Sequence, residues 1–330
     1  MRKESTEVGL ICRKVVPSIP RSAAVALIAS GVLAAAQAAR AQSAPATVRV
    51  GTMSIDPFGE TYFGVDQGIY HSNGIDAQLS TLPNGSTIVQ SVLGGDLDVG
   101  LANIVTVAAA VAKGIPLVMI APAALYSAKH SYSRLCVAKN SPFKSAKDLD
   151  GGTIAVSSLN DFNQLGVSAW LEHNGIPPAR VHFIELKFPE MGPALARGTV
   201  QAATIAEPAL SSAIHSGDAR AFADIYEVIA PEFANIVWFT SKSWLQKNPD
   251  TAKRLISGIY ATARWSNAHQ PQSALILANV AKMDPGVVSA MTRAYFATSS
   301  DPKYVQAPLD FAAHYGLISR PVTTAEFIAP

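Results

Sequence analysis

Residues 73–75 read Asn-Gly-Ile, and residues 174–176 read Asn-Gly-Ile again, 101 positions later. The first tripeptide closes a helical stretch that follows an apolar run, Val48-Arg49-Val50-Gly51. After it come a strand-like segment (Ala77 to Leu82), a second helical stretch and the turn-plus-strand Gly95-Asp96-Leu97-Asp98-Val99-Gly100. The second tripeptide has the same surroundings. Thr153-Ile154-Ala155-Val156 precedes it, and Val181 to Leu186 follows. Another helix then leads to Gly198-Thr199-Val200-Gln201-Ala202-Ala203-Thr204. Gly95 and Gly198 are 103 positions apart, so spacing as well as order is kept. Asn then Gly ends a helix well, because glycine reaches the left-handed conformation at little cost. Strands alternating with helices imply parallel sheets with crossover helices. A duplicated unit implies two similar lobes rather than one large sheet.

The remainder of the chain breaks the pattern. Asn248-Pro249 is a helix start, and Ala252, Leu255, Ile256, Ile259, Tyr260 and Ala263 recur at helical spacing. We expect an α/β protein of two lobes with a hinge and a C-terminal helical cover. Residues 42–130 would begin lobe 1, 131–238 form lobe 2, and 239–330 return to lobe 1 as the cover. Two crossings, near 127–134 and 234–240, would form the hinge.

Residues 1–41 read as an export signal. Arg2, Lys3, Arg13, Lys14 and Arg21 make a basic leader, Ala23 to Ala39 is apolar and small, and Ala39-Arg40-Ala41 is an A-x-A cleavage site. The apolar run is short and alanine-rich for a membrane span. The whole chain carries 26 Lys+Arg and 24 Asp+Glu. Six of the basic and two of the acidic residues lie in the signal, which leaves 20 and 22, a net charge near −2. No basic stripe remains for a phosphate backbone, so no nucleic-acid partner is expected. After cleavage Cys136 stands alone in an apolar run and reads as a small buried residue.

Catalytic signatures are missing: there is no phosphate-cradling glycine loop, G-x-S-x-G elbow or H-E-x-x-H pair. The seven histidines are scattered, without metal-ligand spacing. No cofactor or metal is expected. A crevice beyond the carboxyl ends of the strands is the natural ligand site of open α/β sheets. Loops there supply Ser54, Asp56, Phe58 and Glu60, then Ser86, which could instead cap a helix, and Asn103. The matching loops of lobe 2 supply Asn160, Asp161, Phe162, Lys187 and Glu207. Tyr126 and His130 stand near the first crossing as an apolar wall and a basic contributor. Trp238, inside the run Ile236 to Phe239, reads as core.

The chain resembles the nitrate/sulfonate/taurine-type periplasmic binding proteins, whose relatives include binders of thiamine-pyrimidine precursors. The resemblance lies in Gln67-Gly68-Ile69-Tyr70 with Asn73-Gly74-Ile75, in residues 95–100, in Ala112-Lys113-Gly114-Ile115-Pro116, in 139–156, in Ala194-Leu195-Ala196-Arg197-Gly198 and in Ala206-Glu207-Pro208. It covers nearly all of the mature chain. It implies a type II periplasmic-binding fold, a ligand held between the lobes, and docking on the permease of an ABC importer, without catalysis. It also implies that Glu207 sits at the cleft mouth. The chain departs from that pattern at residues 158–162, where sulfonate binders often have Gly-Ser, and at Gln201, where many relatives have Asp. It lacks the cysteine-rich motif of the thiamine-pyrimidine enzymes. An enzyme using Glu207 as acid or base, and a sensor subunit, remain the alternatives. A monomer is expected. Four cleft carboxylates (Asp56, Glu60, Asp161 and Glu207) without an arginine argue against a simple, strongly anionic ligand.

Cleavage after Ala41 gives the first test. Intact mass of the protein recovered from the periplasm should begin at Gln42; a species that keeps Arg2 to Ala41 refutes the signal.

Overall fold

The computed structural model describes residues 44–329, so the expected signal over 1–41 lies outside the described residues. Strand β1 (Ala46–Thr52) buries Val48 and Val50 and turns Thr47 and Arg49 outward, the alternation of a half-covered strand. Helix α1 (Glu60–Asp66) and the single turn α2 (Ile69–Ser72) carry the chain to the first Asn-Gly. Gly74 takes φ 72° and Gly175 takes φ 77°, the left-handed geometry for which glycine is suited at a helix end. Strand β2 (Ile75–Thr81) then pairs parallel with β1, Ala46 opposite Ile75. Helix α3 (Gly85–Gly94) crosses to β3 (Val99–Asn103), parallel on the other side of β1. Helix α4 (Ile104–Ala112), almost wholly apolar, is buried over most of its surface, and β4 (Leu117–Pro122) completes this run.

After β5 (Ala124–Ser127) the chain crosses to β6 (Ser133–Ala138) and repeats the plan. The order is β7 (Thr153–Val156), α5 (Phe162–His173), β8 (His182–Glu185), α6 (Phe188–Ala196), β9 (Ala202–Ala206), α7 (Ala209–His215) and β10 (Ala219–Ala223). Strands β11 (Glu232–Ala234) and β12 (Ile236–Ser241) bring the chain back. Helices α8 (Lys242–Lys247), α9 (Pro249–Ala268), α10 (Gln270–Ala281) and α11 (Pro285–Ala290) follow, then β13 (Tyr295–Phe296), α12 (Gln306–His314) and α13 (Thr324–Phe327). Helix α9 packs on α1 and α2, and α12 on α4, which is the helical cover on lobe 1.

The first sheet runs β2-β1-β3-β12-β4 and the second β8-β7-β9-β6-β10. The two orders match strand for strand, and so do details. Asp98 in the first copy and Gln201 in the second each accept a hydrogen bond from the first strand's backbone, at Arg49 and Thr153, both 2.8 Å. The Asp-to-Gln departure therefore preserves a structural bond. The sheets are mixed rather than parallel as expected: β12 runs antiparallel to β3 and β4, and β6 antiparallel to β9. These strands come from the crossings and not from the repeat, so the repeat could not reveal their direction. Because β12 starts at Ile236, Ile236–Trp238 belong to the first sheet, ahead of the expected return at 239.

Trp238 is fully buried in this sheet, and its Nε1 donates to Glu60 Oε2 at 2.9 Å. Glu60 is fully buried at the first turn of α1 and not in the crevice. Burial pushes its carboxyl up to about 8, opposed by the indole donor. The folded protein thus holds a proton that the unfolded chain releases near 4.5, so stability falls as pH rises from about 4.5 through 8. Urea midpoints at pH 5 and pH 9 should show this loss, at about 1.4 kcal/mol per pH unit for one such proton. Glu60→Gln should lessen it. An unchanged pH slope in the variant would show that Glu60 is not the source.

Candidate functional site

A cavity of about 780 Å³ opens between the two sheets. Its floor is the hinge itself: Tyr132 and Ser133 from one crossing, Asn235 and Ile236 from the other. Lobe 1 walls it with Ser54, Phe58, Asn84, Ser86, Asn103 and Thr106, and lobe 2 with Ser157, Asp161, Phe162, Asn163, Lys187 and Ser212. From there it runs on as a groove past Gly192, Ser216 and Asp218, and Met283 lines it from the helical cover.

Helices α3, α4, α5 and α6 all start at this cavity, so their free N–H groups and partial positive ends converge there. Capping side chains already satisfy part of that set. Asn84 Oδ1 accepts from Thr87 N at 2.9 Å and Asn103 Oδ1 from Thr106 N at 2.9 Å. Asp161 accepts from Asn163 N (2.8 Å), Gln164 N (3.0 Å), Ser157 Oγ (2.7 Å) and Asn163 Nδ2 (3.0 Å). Burial still raises its pKa against those four donors. Since Asn84 takes the cap of α3, the Ser86 hydroxyl stays free to face the cavity.

Of the residues expected to contact a ligand, Ser54, Phe58, Ser86, Asn103 and Phe162 line the cavity. Asp56, Tyr126, His130, Asn160 and Glu207 do not, each for a physical reason. Asp56 is fully buried and paired with Arg293 at 2.8 Å, and it also accepts from the Ala294 backbone. Tyr126 is packed against Phe233 (4.9 Å between ring centres) and Tyr226 (5.7 Å). His130 stacks on Tyr295 at 4.9 Å between ring centres. Asn160 is exposed with φ 57°, a turn conformation that Asn tolerates. Glu207 turns back on its own helix, accepting from Ser211 N and Ser211 Oγ, both 2.9 Å. Burial pushes its carboxyl up to about 7.

Three of the four carboxylates behind the argument against an anion are therefore outside the cavity, and Asp161 is occupied by its cap. These four carboxylates therefore do not bar an anion from the cavity. What remains is a lining of hydroxyls, amides and apolar groups, with Asp218 in the groove, Lys187 as the one cation and no arginine among the described residues that line it. Sequence reasoning missed Tyr132, Ser133 and Asn235, because hinge residues fall outside the loops that follow strands.

The family model "NMT1/THI5 like" matches residues 57–274. The chain belongs to this family. Among its relatives, the taurine-binding periplasmic protein of Escherichia coli (strain K12) is 26% identical over 191 residues, 57% of each chain. That match spans little more than half of the relative's length. The crystal structure of the periplasmic aliphatic sulphonate binding protein SsuA from Escherichia coli superposes with TM-score 0.70 at 18% identity, covering 87% of this chain and 93% of that one. The desulfurization enzyme DSZB superposes with TM-score 0.64 at 16% identity, covering 86% and 96%. The two-lobed periplasmic-binding fold expected from the sequence is thus the fold of this family member, and that fold also hosts an enzyme.

Arg293 ties the cover to the β1 loop. It pairs with Asp56, donates to Gln270 O at 3.1 Å and lies over the Phe63 ring at 5.8 Å. Asp56→Asn leaves a buried guanidinium without its counter-charge. It should cost about 3–5 kcal/mol of stability in urea unfolding. A loss under about 1 kcal/mol, as for exposed pairs, would refute the burial.

Proposed function

We propose that the protein is an extracytoplasmic solute-binding protein: it captures a small organic molecule between its lobes and presents the closed form to the permease of an ABC importer. The single observation that carries this is a cavity of about 780 Å³ floored by both hinge crossings and walled by both lobes. A ligand touching both walls stabilises the closed state by its differential contacts. The volume lies within the range of small-molecule sites. The binding proteins to which the chain is similar support the reading. So does the lining: hydroxyls, amides and apolar groups hold and orient a ligand, and the Asp161 carboxylate is already committed to four donors of its own loop and helix. Export to the periplasm and a monomeric state complete the proposal.

A thermal-shift screen of the mature chain against sulfonates, aromatic carboxylates, amides, amino acids and pyrimidines tests it. A true ligand at a hundred times its dissociation constant adds about 2.7 kcal/mol of stability. Small-angle scattering with that ligand should show a smaller radius of gyration. Turnover of the bound compound would move the protein to the enzymes of this fold.

A further inference from the structure

Tyr132 and Asn235 occupy the two points where the chain passes between the lobes. Each backbone is fixed by one lobe, Tyr132 by lobe 2 and Asn235 by lobe 1. Tyr132 O accepts from Glu207 N at 2.8 Å, Asn235 N donates to Ala124 O at 3.0 Å, and Asn235 O accepts from Ile104 N at 2.9 Å. Their side chains are 3% and 7% exposed and both line the cavity floor. The Tyr132 hydroxyl is buried without a hydrogen-bond partner. The Asn235 amide lies near enough to oppose the rise in the phenol's pKa, yet outside hydrogen-bond geometry. Of the buried side-chain polar atoms without a partner among the described residues, the Tyr132 hydroxyl is the one on a residue lining the cavity; those on Glu60, Tyr126, Arg254 and Gln270 lie off it. Buried polar groups are almost always satisfied, so an orphan at a cavity floor calls for a partner that enters the cavity.

The floor also limits what that partner is. Ser133 and Ile236, the other floor residues, carry no charge. Lys187, the lining cation, stands exposed at the start of α6 on the lobe 2 wall, and Asp161 is held by four donors. A full negative charge brought to the floor would be desolvated with no cation there to pair it, because the four helix N-termini that favour an anion start from the walls.

We propose that the Tyr132 phenol and the Asn235 carboxamide form a recognition pair at the hinge that reads an uncharged hydrogen-bond acceptor, a carbonyl oxygen or ring nitrogen, on the buried end of the solute. This rests on the solute-capture reading above. The phenol donates to the acceptor, and the amide beside it supplies a donor or acceptor to the neighbouring atom. Phe58 and Phe162 stand on opposite walls against the apolar body. Both members of the pair sit on crossing segments, so the contact forms at the place that bends on closure.

Four probes on one ring system separate the terms: benzamide, benzoate, benzenesulfonate and toluene. Calorimetry and thermal shift use the mature chain, its Tyr132→Phe variant and its Asn235→Ala variant. Benzamide should bind more tightly than either anion. Tyr132→Phe should weaken benzamide roughly tenfold, the scale of one hydrogen bond, and leave toluene unchanged. Its melting temperature should stay level or rise, since the hydroxyl removed has no partner in the free protein. Asn235→Ala should also weaken benzamide. Three results would overturn the proposal: anions bind while benzamide does not, Tyr132→Phe leaves benzamide affinity intact, or Tyr132→Phe lowers the melting temperature. If any of these occurs while another solute from the wider screen closes the lobes, the pairing is wrong and solute capture stands. If no solute of any class binds, both fail.

Discussion

Strand β12 is hydrogen-bonded on both edges, antiparallel to β3 on one side and to β4 on the other. The first sheet is incomplete until the chain has built the second lobe and returned. Lobe 1 therefore depends on contacts between residues far apart in sequence, such as Val237 with Ala102 and Trp238 with Leu101. The same strand carries Trp238 into the core, where its indole holds Glu60, and places Asn235 just ahead of it at the cavity floor. Strand β6 does the same in reverse, entering the second sheet beside β9 with Tyr132 just ahead of it. One strand direction thus makes both the hinge and the base of the cleft.

The helical cover extends this constraint. Arg293 reaches Asp56 in the loop after β1, while the Asp56 backbone N–H donates to Glu207 O in lobe 2 at 3.4 Å. On another face, Tyr315 donates to Glu172 on α5, and His314 lies 3.4 Å from the same carboxylate. The cover is not confined to lobe 1 but meets lobe 2 at separate points. The closure proposed above would move the C-terminal segments as well as the two crossings.

The carboxylates show how burial redirects residues whose position beyond a strand end points to a ligand contact. Asp56, Glu60 and Glu207 all lie in loops or first turns beyond strand ends, where a ligand contact is the natural inference. The fold gives each an internal partner instead: a guanidinium, an indole, and the hydroxyl and N–H of Ser211. A carboxylate that already has donors inside the protein has little to offer a solute. The groups left facing the cavity are mostly neutral ones, such as Ser54, Ser86, Asn163 and Ser212.

The sequence by itself determined the duplicated strand–helix plan, the Asn-Gly helix ends, the helical cover and the general position of the cleft. These follow from periodicity and from conformational preferences that act within a few residues. It also placed Ser54, Phe58, Ser86, Asn103 and Phe162 at the cavity, since loops after strands open on the same end of a sheet. Tertiary structure alone decided the antiparallel course of β6 and β12, because strand direction depends on where the crossings enter. It alone paired Asp56 with Arg293, separated by most of the chain, and turned Tyr126 and His130 away from the cavity into aromatic stacks. It alone brought Tyr132 and Asn235 together at the floor, because two crossings more than a hundred residues apart meet only when both lobes have folded.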